Sequence, residues 1–221
     1  MIEFKVDLHM HSDHSDGENS VEEMIDQALN NGLSAIAFAE HFEMDPKASL
    51  LAYVQAMNYV CLNNLPIRIF PAVEYSIANH LSRKPKSIHC VIYPDDIGKL
   101  IKVLGNSDNE YLDIDHPVSL AHPTDIMIKK ALEENMFPFI EIKKRVYQDS
   151  SLDLFFKNGI TPLVTSDAHN ISGLSCYTII REIPETIWGI DVIGYGFKKS
   201  VYYLEEGNPP KELQAKMVGN F

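Results

Sequence analysis

The sequence predicts an α/β fold, a closed or nearly closed barrel of parallel strands. Three observations predict it. Short apolar runs alternate with amphipathic segments of helical period, cap and stop residues punctuate them, and no linker-like or low-complexity stretch divides the chain. A length of 221 residues is ordinary for one such domain, so the expected organisation is a single domain over residues 1–221.

The elements follow in order. Phe4 to His11 reads as the first strand, ahead of a turn-rich stretch from Ser12 to Asn19. Ser20 and Glu23 then form a capping box, and Val21, Met24, Ile25, Ala28 and Leu29 supply the apolar stripe of a helix that stops at Asn31-Gly32. Ser34 to Ala39 returns as a strand. Asp45-Pro46 opens a second helix, with Leu50, Val54, Met57 and Cys61 as its expected apolar face. Strands are expected from Ile67 to Glu74, Ser87 to Tyr93 and Val118 to His122. Thr124 caps a helix to about Asn135, and Phe137 to Ile142 is the next strand. A helix marked by Leu152, Phe155 and Phe156 stops at Asn158-Gly159, before a strand from Ile160 to Ser166. Strands separated by helices in this way pair in parallel through right-handed crossovers. An open doubly wound sheet is the alternative architecture. After Cys176 the pattern weakens into one or two closing strands and a tail.

Composition narrows the function. Hydrophobic residues make up 45% of the chain, enough for a substantial core. The formal charge of −12, from 31 acidic and 19 basic residues, argues against a generic nucleic-acid surface. Cys61, Cys90 and Cys176 lie far apart without metal-type spacing and read as reduced, buried thiols. With no apolar run long enough for a signal peptide or membrane span, the expectation is a cytoplasmic protein with no membrane partner.

The position of the metal-ligand residue types is the informative feature. His9 and His11 end the first strand, His41 follows the second, Glu74 ends the third, His89 lies in the fourth and His122 ends the fifth. Asp167 and His169 follow the last clear strand. In a parallel barrel all strand C-termini open on one face, so these residues would converge there. Residues i and i+2 of a strand share a side, which lets His9 and His11 bind one ion together; Asp167 and His169 repeat the spacing. Ser15-Asp16-Gly17 offers a further carboxylate, favoured over His14 as the loop ligand because an Asx-Gly turn can aim it inward. His14 is then a surface residue or a candidate acid. These nine ligand candidates are too many for one closed structural zinc site and suit a multinuclear centre.

The run from Asp7 to Gly17, Ala39-Glu40-His41, Ala72 to Ser76, Ser87 to Cys90, Leu120 to Thr124, and Thr165 to Asn170 together resemble, in order, the motifs of the PHP (polymerase and histidinol phosphatase) superfamily. The resemblance runs from Asp7 to Asn170. It implies a distorted (β/α)7 TIM-like barrel holding two or three divalent ions of zinc, manganese or iron at the C-terminal ends of its strands. His9, His11, Glu74 and Asp167 would hold the first ion, Glu74 with His89 and His122 the second, and Asp16, His41 and His169 the third. The implied reaction is hydrolysis of a small phosphomonoester by a metal-bound hydroxide. Glu40 stands where the family usually has Asp. Alternatives are amidohydrolase-type cleavage of a C–N or other ester bond, and a non-catalytic metal-binding module. Arg145, and after it Arg83, are the expected phosphate contacts, within the basic runs Lys143-Lys144-Arg145 and Arg83 to Lys86. His80 and His116 read as solvated loop histidines, and Glu141 as either a supporting carboxylate or an ordinary cap or salt-bridge residue.

Overall fold

The structure is a computed structural model that describes residues 3–78, 87–105, 116–134, 137–142, 151–197, 200–204 and 215–216. Its strands are β1 (Phe4–Met10), β2 (Ala35–Phe38), β3 (Arg68–Pro71), β4 (Val73–Ala78), β5 (Ser87–Ile92), β6 (Val118–Ala121), β7 (Phe139–Glu141), β8 (Thr161–Leu163), β9 (Cys176–Ile180), β10 (Val192–Phe197), β11 (Ser200–Tyr203) and β12 (Ala215–Lys216). Five α-helices accompany them among the described residues: α1 (Val21–Asn30), α2 (Ala48–Asn63), α3 (Ile97–Gly105), α4 (Asp125–Glu134) and α5 (Ser151–Lys157).

These strands do not close into a (β/α)7 barrel. They form a seven-stranded sheet in the order β12-β11-β10-β9-β1-β2-β3 and a five-stranded sheet in the order β4-β5-β6-β7-β8. Both sheets are mixed. Pairing is parallel along β1-β2-β3 and β6-β7-β8, but antiparallel along β4-β5-β6 and from β1 through β9 to β12. Connection length accounts for the antiparallel pairs β4-β5 and β9-β10, whereas β5 and β6 are antiparallel although α3 lies between them. A parallel crossover needs a dozen or more residues, usually helical, and the segment between β4 and β5 is too short to hold one. Only short 3-10 turns, Ile171–Gly173 and Ile187–Gly189, lie between β8 and β9 and between β9 and β10. The expected third strand is also two, because the chain passes from one sheet to the other at Ala72.

The sheets face each other across an apolar layer. Val6, Leu8, Ala37 and Phe70 from one meet Val91, Ala121, Phe139 and Leu163 from the other. α1 and α2 cover the outer face of the first sheet through Met24, Ile25, Ala52 and Ala56, and α3 and α5 pack on the second through Leu100, Val103 and Phe155. At one end of the inner layer two isolated bridges, Met10 with Ala168 and His41 with Glu74, tie sheet to sheet. His11 N donates to Ala168 O at 2.9 Å and Glu74 N to Glu40 O at 3.1 Å, so the candidate residues sit on the seam itself.

Local signals fare better than topology. Ser20 caps α1 with both halves of the capping box formed, and Val21, Met24, Ile25 and Ala28 are its buried face. Thr124 Oγ1 accepts from Met127 N, and Gly159 takes φ +69° where α5 stops. α2 differs. It starts at Ala48, after an Asp45-Pro46 turn, and buries Ala48, Ser49, Ala52 and Ala56. Small residues on that face let the helix lie close, which leaves Leu51 and Val54 exposed, along with the Cys61 thiol. No helix among the described residues is long and apolar enough to cross a membrane. Ser20→Ala removes the cap oxygen and should lower stability by about 1 kcal/mol in denaturant unfolding. An unchanged midpoint would mean that packing alone holds the first turn.

Candidate metal centre

β1 carries the first two candidates, and its geometry is not a simple alternation. Val6 and Leu8 belong to the inter-sheet layer, whereas Met10 packs on the helix side. The phase changes where the register with β2 is irregular, between Asp7 and Met10. Across that irregularity Asp7, His9 and His11 are all fully buried, an expensive placement for polar groups without partners.

Glu74 is the partner most of them share. It lies on β4, two residues before Ser76, which is paired with His89 on antiparallel β5. Glu74 and His89 are therefore diagonal neighbours on one sheet face. His89 is in turn paired with Ala121, so His122 follows directly at the end of β6. Glu74 Oε1 lies 2.9 Å from His89 Nδ1 and 3.1 Å from His122 Nε2. Its Oε2 lies 3.0 Å from His41 Nδ1, 3.4 Å from His9 Nε2 and 3.5 Å from His11 Nε2.

A second carboxylate closes the buried side. Asp167 Oδ1 is 3.3 Å from His11 Nε2, and its Oδ2 is 3.2 Å from His122 Nδ1. The third is at the mouth: Asp16 Oδ2 lies 3.2 Å from His169 Nε2 and 3.4 Å from His41 Nε2. His9 and His11 bring their Nε2 atoms within 3.1 Å of each other. Four overlapping groups result, each with its donor atoms within 4.8 Å of one another: His11, Asp16, His41 and His169; His9, Glu74 and His122; His9, His11 and Asp167; His41, Glu74 and His89. All nine residues singled out above stand in at least one group.

Backbone strain accompanies this convergence. His122 and Asp167 take φ +43° and +51°, a left-handed conformation that costs roughly 1–2 kcal/mol in a non-glycine residue. Buried carboxylates grip both places. Glu141 Oε2 accepts from His122 N at 3.2 Å, and Asp7 Oδ1 accepts from Ser166 N at 2.9 Å, one residue before Asp167. Glu141 also holds His9, with Oε1 2.7 Å from Nδ1, which leaves His9 Nε2 directed at the cluster. These contacts to His9 and His122 suit both of its sequence readings, a carboxylate that supports candidate ligands and a salt-bridge partner. Asp7 went unrecognised as an anchor, although its place two residues before His9 carried the signal.

Charge in the cluster is set by mutual pairing. Burial alone would push the Glu74 carboxyl up, but hydrogen bonds with His122 and His89 and the nearby His9 ring outweigh it and hold Glu74 well below the ordinary range. Asp167 is likewise lowered, its histidine neighbours overcoming burial. Burial would lower His9, yet Glu141 and Glu74 raise it well above the usual value. His11 goes the other way, pushed down to about 4 chiefly by burial.

The donor set fits divalent cations. Imidazole nitrogen and carboxylate oxygen suit zinc, manganese and iron. Three buried donor atoms, His11 Nδ1, Glu74 Oε2 and Asp167 Oδ1, have no hydrogen-bond partner among the described residues. Glu74 Oε2 is near His41 Nδ1, but not in hydrogen-bonding geometry, so its lone pairs are available to a cation. Not every candidate joins. His14 turns to Gln55, with Nε2 2.7 Å from Oε1, and stands outside all four groups, as does His116. Arg83, Lys84, Lys86, Lys143, Lys144, Arg145 and His80 lie outside the described residues.

Comparison with known proteins finds solved structures of similar fold to this chain. The solved structures it resembles include a two-domain protein from Bacteroides vulgatus containing a predicted PHP-like metal-dependent phosphoesterase (17% identity, TM-score 0.59, 90% of this chain and 66% of that one). They also include PsfC from Pseudomonas syringae (20% identity, TM-score 0.57, 83% of this chain and 84% of that one). A third is a candidate metal-dependent phosphoesterase from Bifidobacterium adolescentis (12% identity, TM-score 0.50, 74% of this chain and 87% of that one). At these identities the likeness is one of fold alone, and this chain spans just under two thirds of the Bacteroides protein. No curated protein matches the sequence at a significant level. The family model of the PHP domain, however, matches residues 7–150, the greater part of the chain, and this protein therefore belongs to the PHP domain family.

Proposed function

We propose that this protein is a metal-dependent phosphoesterase that hydrolyses a small phosphomonoester. The observation that carries the reading is the sharing of Glu74. Its two oxygens face histidines from both sheets, a distribution one ion cannot use and a multinuclear site can. His9, His11, Glu74 and Asp167 would hold one ion, Glu74, His89 and His122 a second, and Asp16, His41 and His169 a third. Bound divalent ions supply Lewis acidity for the phosphoryl oxygens and acidify water at neutral pH.

The chain's own residues orient the rest. His9, His11 and Glu74 form the closed floor, fully buried, while Asp16 and His169 are each 36% exposed. Substrate thus approaches from the Asp16–His169 side. Glu141 keeps the His9 ring in one orientation, and Asp7 and Glu141 hold Asp167 and His122 at their left-handed positions. Arg145 and Arg83 remain the proposed phosphate contacts. His14 is occupied by Gln55, whose amide also donates to Glu22, and is assigned no proton transfer. A closed structural zinc site would need only four of these residues.

Protein prepared without chelator should contain more than one equivalent of zinc, manganese or iron per chain by elemental analysis. Chelation should remove metal and turnover of phosphorylated metabolites together. One equivalent or none would contradict the multinuclear reading. His9→Ala and Asp167→Asn should each lower turnover at least roughly 10²-fold with the circular dichroism spectrum retained, since losses of that size follow from disturbing metal-site residues. His116→Ala should stay within a few fold of wild type. Retained turnover in His9→Ala would remove that residue from the site.

A further inference from the structure

We propose that Glu40 is a positioning residue whose buried carboxylate clamps the loop from Ser12 to Gly17, and so sets where Asp16 stands relative to His41. The inference rests on the proposed metal reading of the Asp16, His41 and His169 group. Glu40 directly precedes His41 and is fully buried. It belongs to none of the four donor groups, because its oxygens are already engaged. Oε1 accepts from Ser12 N at 2.9 Å and from Ser12 Oγ, and Oε2 accepts from Ser15 Oγ. One carboxylate therefore spans the start and the middle of the loop.

The other loop contacts make this grip consequential. Ser12 O accepts from Ser15 N at 3.2 Å and from Gly17 N at 2.9 Å, folding the loop onto its own first residue. A Cβ at Gly17 would lie 2.7 Å from Ser12 C and O, so the turn closes that tightly only with glycine. Asp13 N donates to Asn19 O and Glu18 N to His169 O, at 2.9 and 2.7 Å, which joins the loop to the third candidate ligand. On its other side the Glu40 carbonyl accepts from Glu74 N at 3.1 Å and from Ser49 Oγ at 3.2 Å. Its backbone is thus fixed to the seam of the sheets while its side chain reaches about two bonds past Cβ to the loop. An aspartate would withdraw the carboxylate by about 1.5 Å, one carbon–carbon bond, and could not hold Ser12 and Ser15 together.

Length, not charge, should therefore be what the position needs. A glutamine keeps the reach: its carbonyl can accept from Ser12, and its amide can donate to a Ser15 hydroxyl that has rotated. The full-length protein is stripped of metal and titrated with Mn²⁺ by calorimetry, with folding followed by circular dichroism. In Glu40→Asp the weakest Mn²⁺ equivalent should bind about 10–100-fold more weakly, the scale expected of groups that support metal ligands, with the tighter equivalents unchanged. Glu40→Gln should stay within a few fold of wild type. Ser15→Ala cuts the outer grip together with the 3.4 Å contact from Ser15 Oγ to Asp16 Oδ1, and should weaken the same equivalent by a smaller factor. Tight binding in Glu40→Asp with loss in Glu40→Gln would show that Glu40 acts through its charge and overturn the inference. So would Ser15→Ala with wild-type binding. Failure of the wild-type protein to bind more than one Mn²⁺ would instead defeat the metal reading beneath it.

Discussion

A carboxylate that is fully buried and ringed by histidines is the constraint from which the site is built. Glu74 has no exposure to water, and an isolated anion so placed would carry a desolvation cost of several kcal/mol. It is tolerated because His41 from the end of β2, His89 from β5, His122 from the end of β6 and His9 from β1 all turn toward its two oxygens. Any arrangement of the two sheets that pulled these ends apart would strand the charge. The bridge of His41 to Glu74 and the hydrogen bond from Glu74 N to Glu40 O place this same residue on the seam, so the chemistry and the joining of the sheets depend on one position.

Around that hub a second set of carboxylates works on backbone instead of on donor atoms. Asp7 accepts from Ser166 N, Glu40 from Ser12 N and Glu141 from His122 N. Each grips a main-chain amide at or near a candidate ligand, two of which adopt left-handed dihedrals. Such conformations persist only when the surroundings over-determine them. Fixed amides give the rigid support a metal centre requires, where a displacement of even an ångström is costly.

The residues of the site were legible in sequence while their architecture was not. Spacing of two pointed to His9 with His11, which stand together in one donor group, whereas Asp167 and His169 lie beyond β8, with Asp167 left-handed, and fall in different groups. The capping box at Ser20 and the stop at Gly159 are local. What escaped was set by pairing between distant segments. Nothing in the β4 and β5 sequences marks them as antiparallel neighbours, yet that pairing puts His89 diagonally opposite Glu74. The face of α2 was half read: Leu50 and Met57 pack against the core, but Val54 and Cys61 are exposed, and the helix approaches through Ala48, Ala52 and Ala56. Glu141 and Asp7 look like ordinary strand acids until their partners, His9 and His122 for one and Ser166 for the other, are brought alongside.

The proposed sharing of Glu74 between metal ions can be read from anomalous diffraction. Crystals grown or soaked with Mn²⁺ would be measured on either side of the manganese edge. At least two anomalous peaks are expected, each within bonding distance of a different Glu74 oxygen, with the outermost peak beside Asp16 and His169. A single peak, or peaks with no Glu74 oxygen in their coordination spheres, would contradict the sharing.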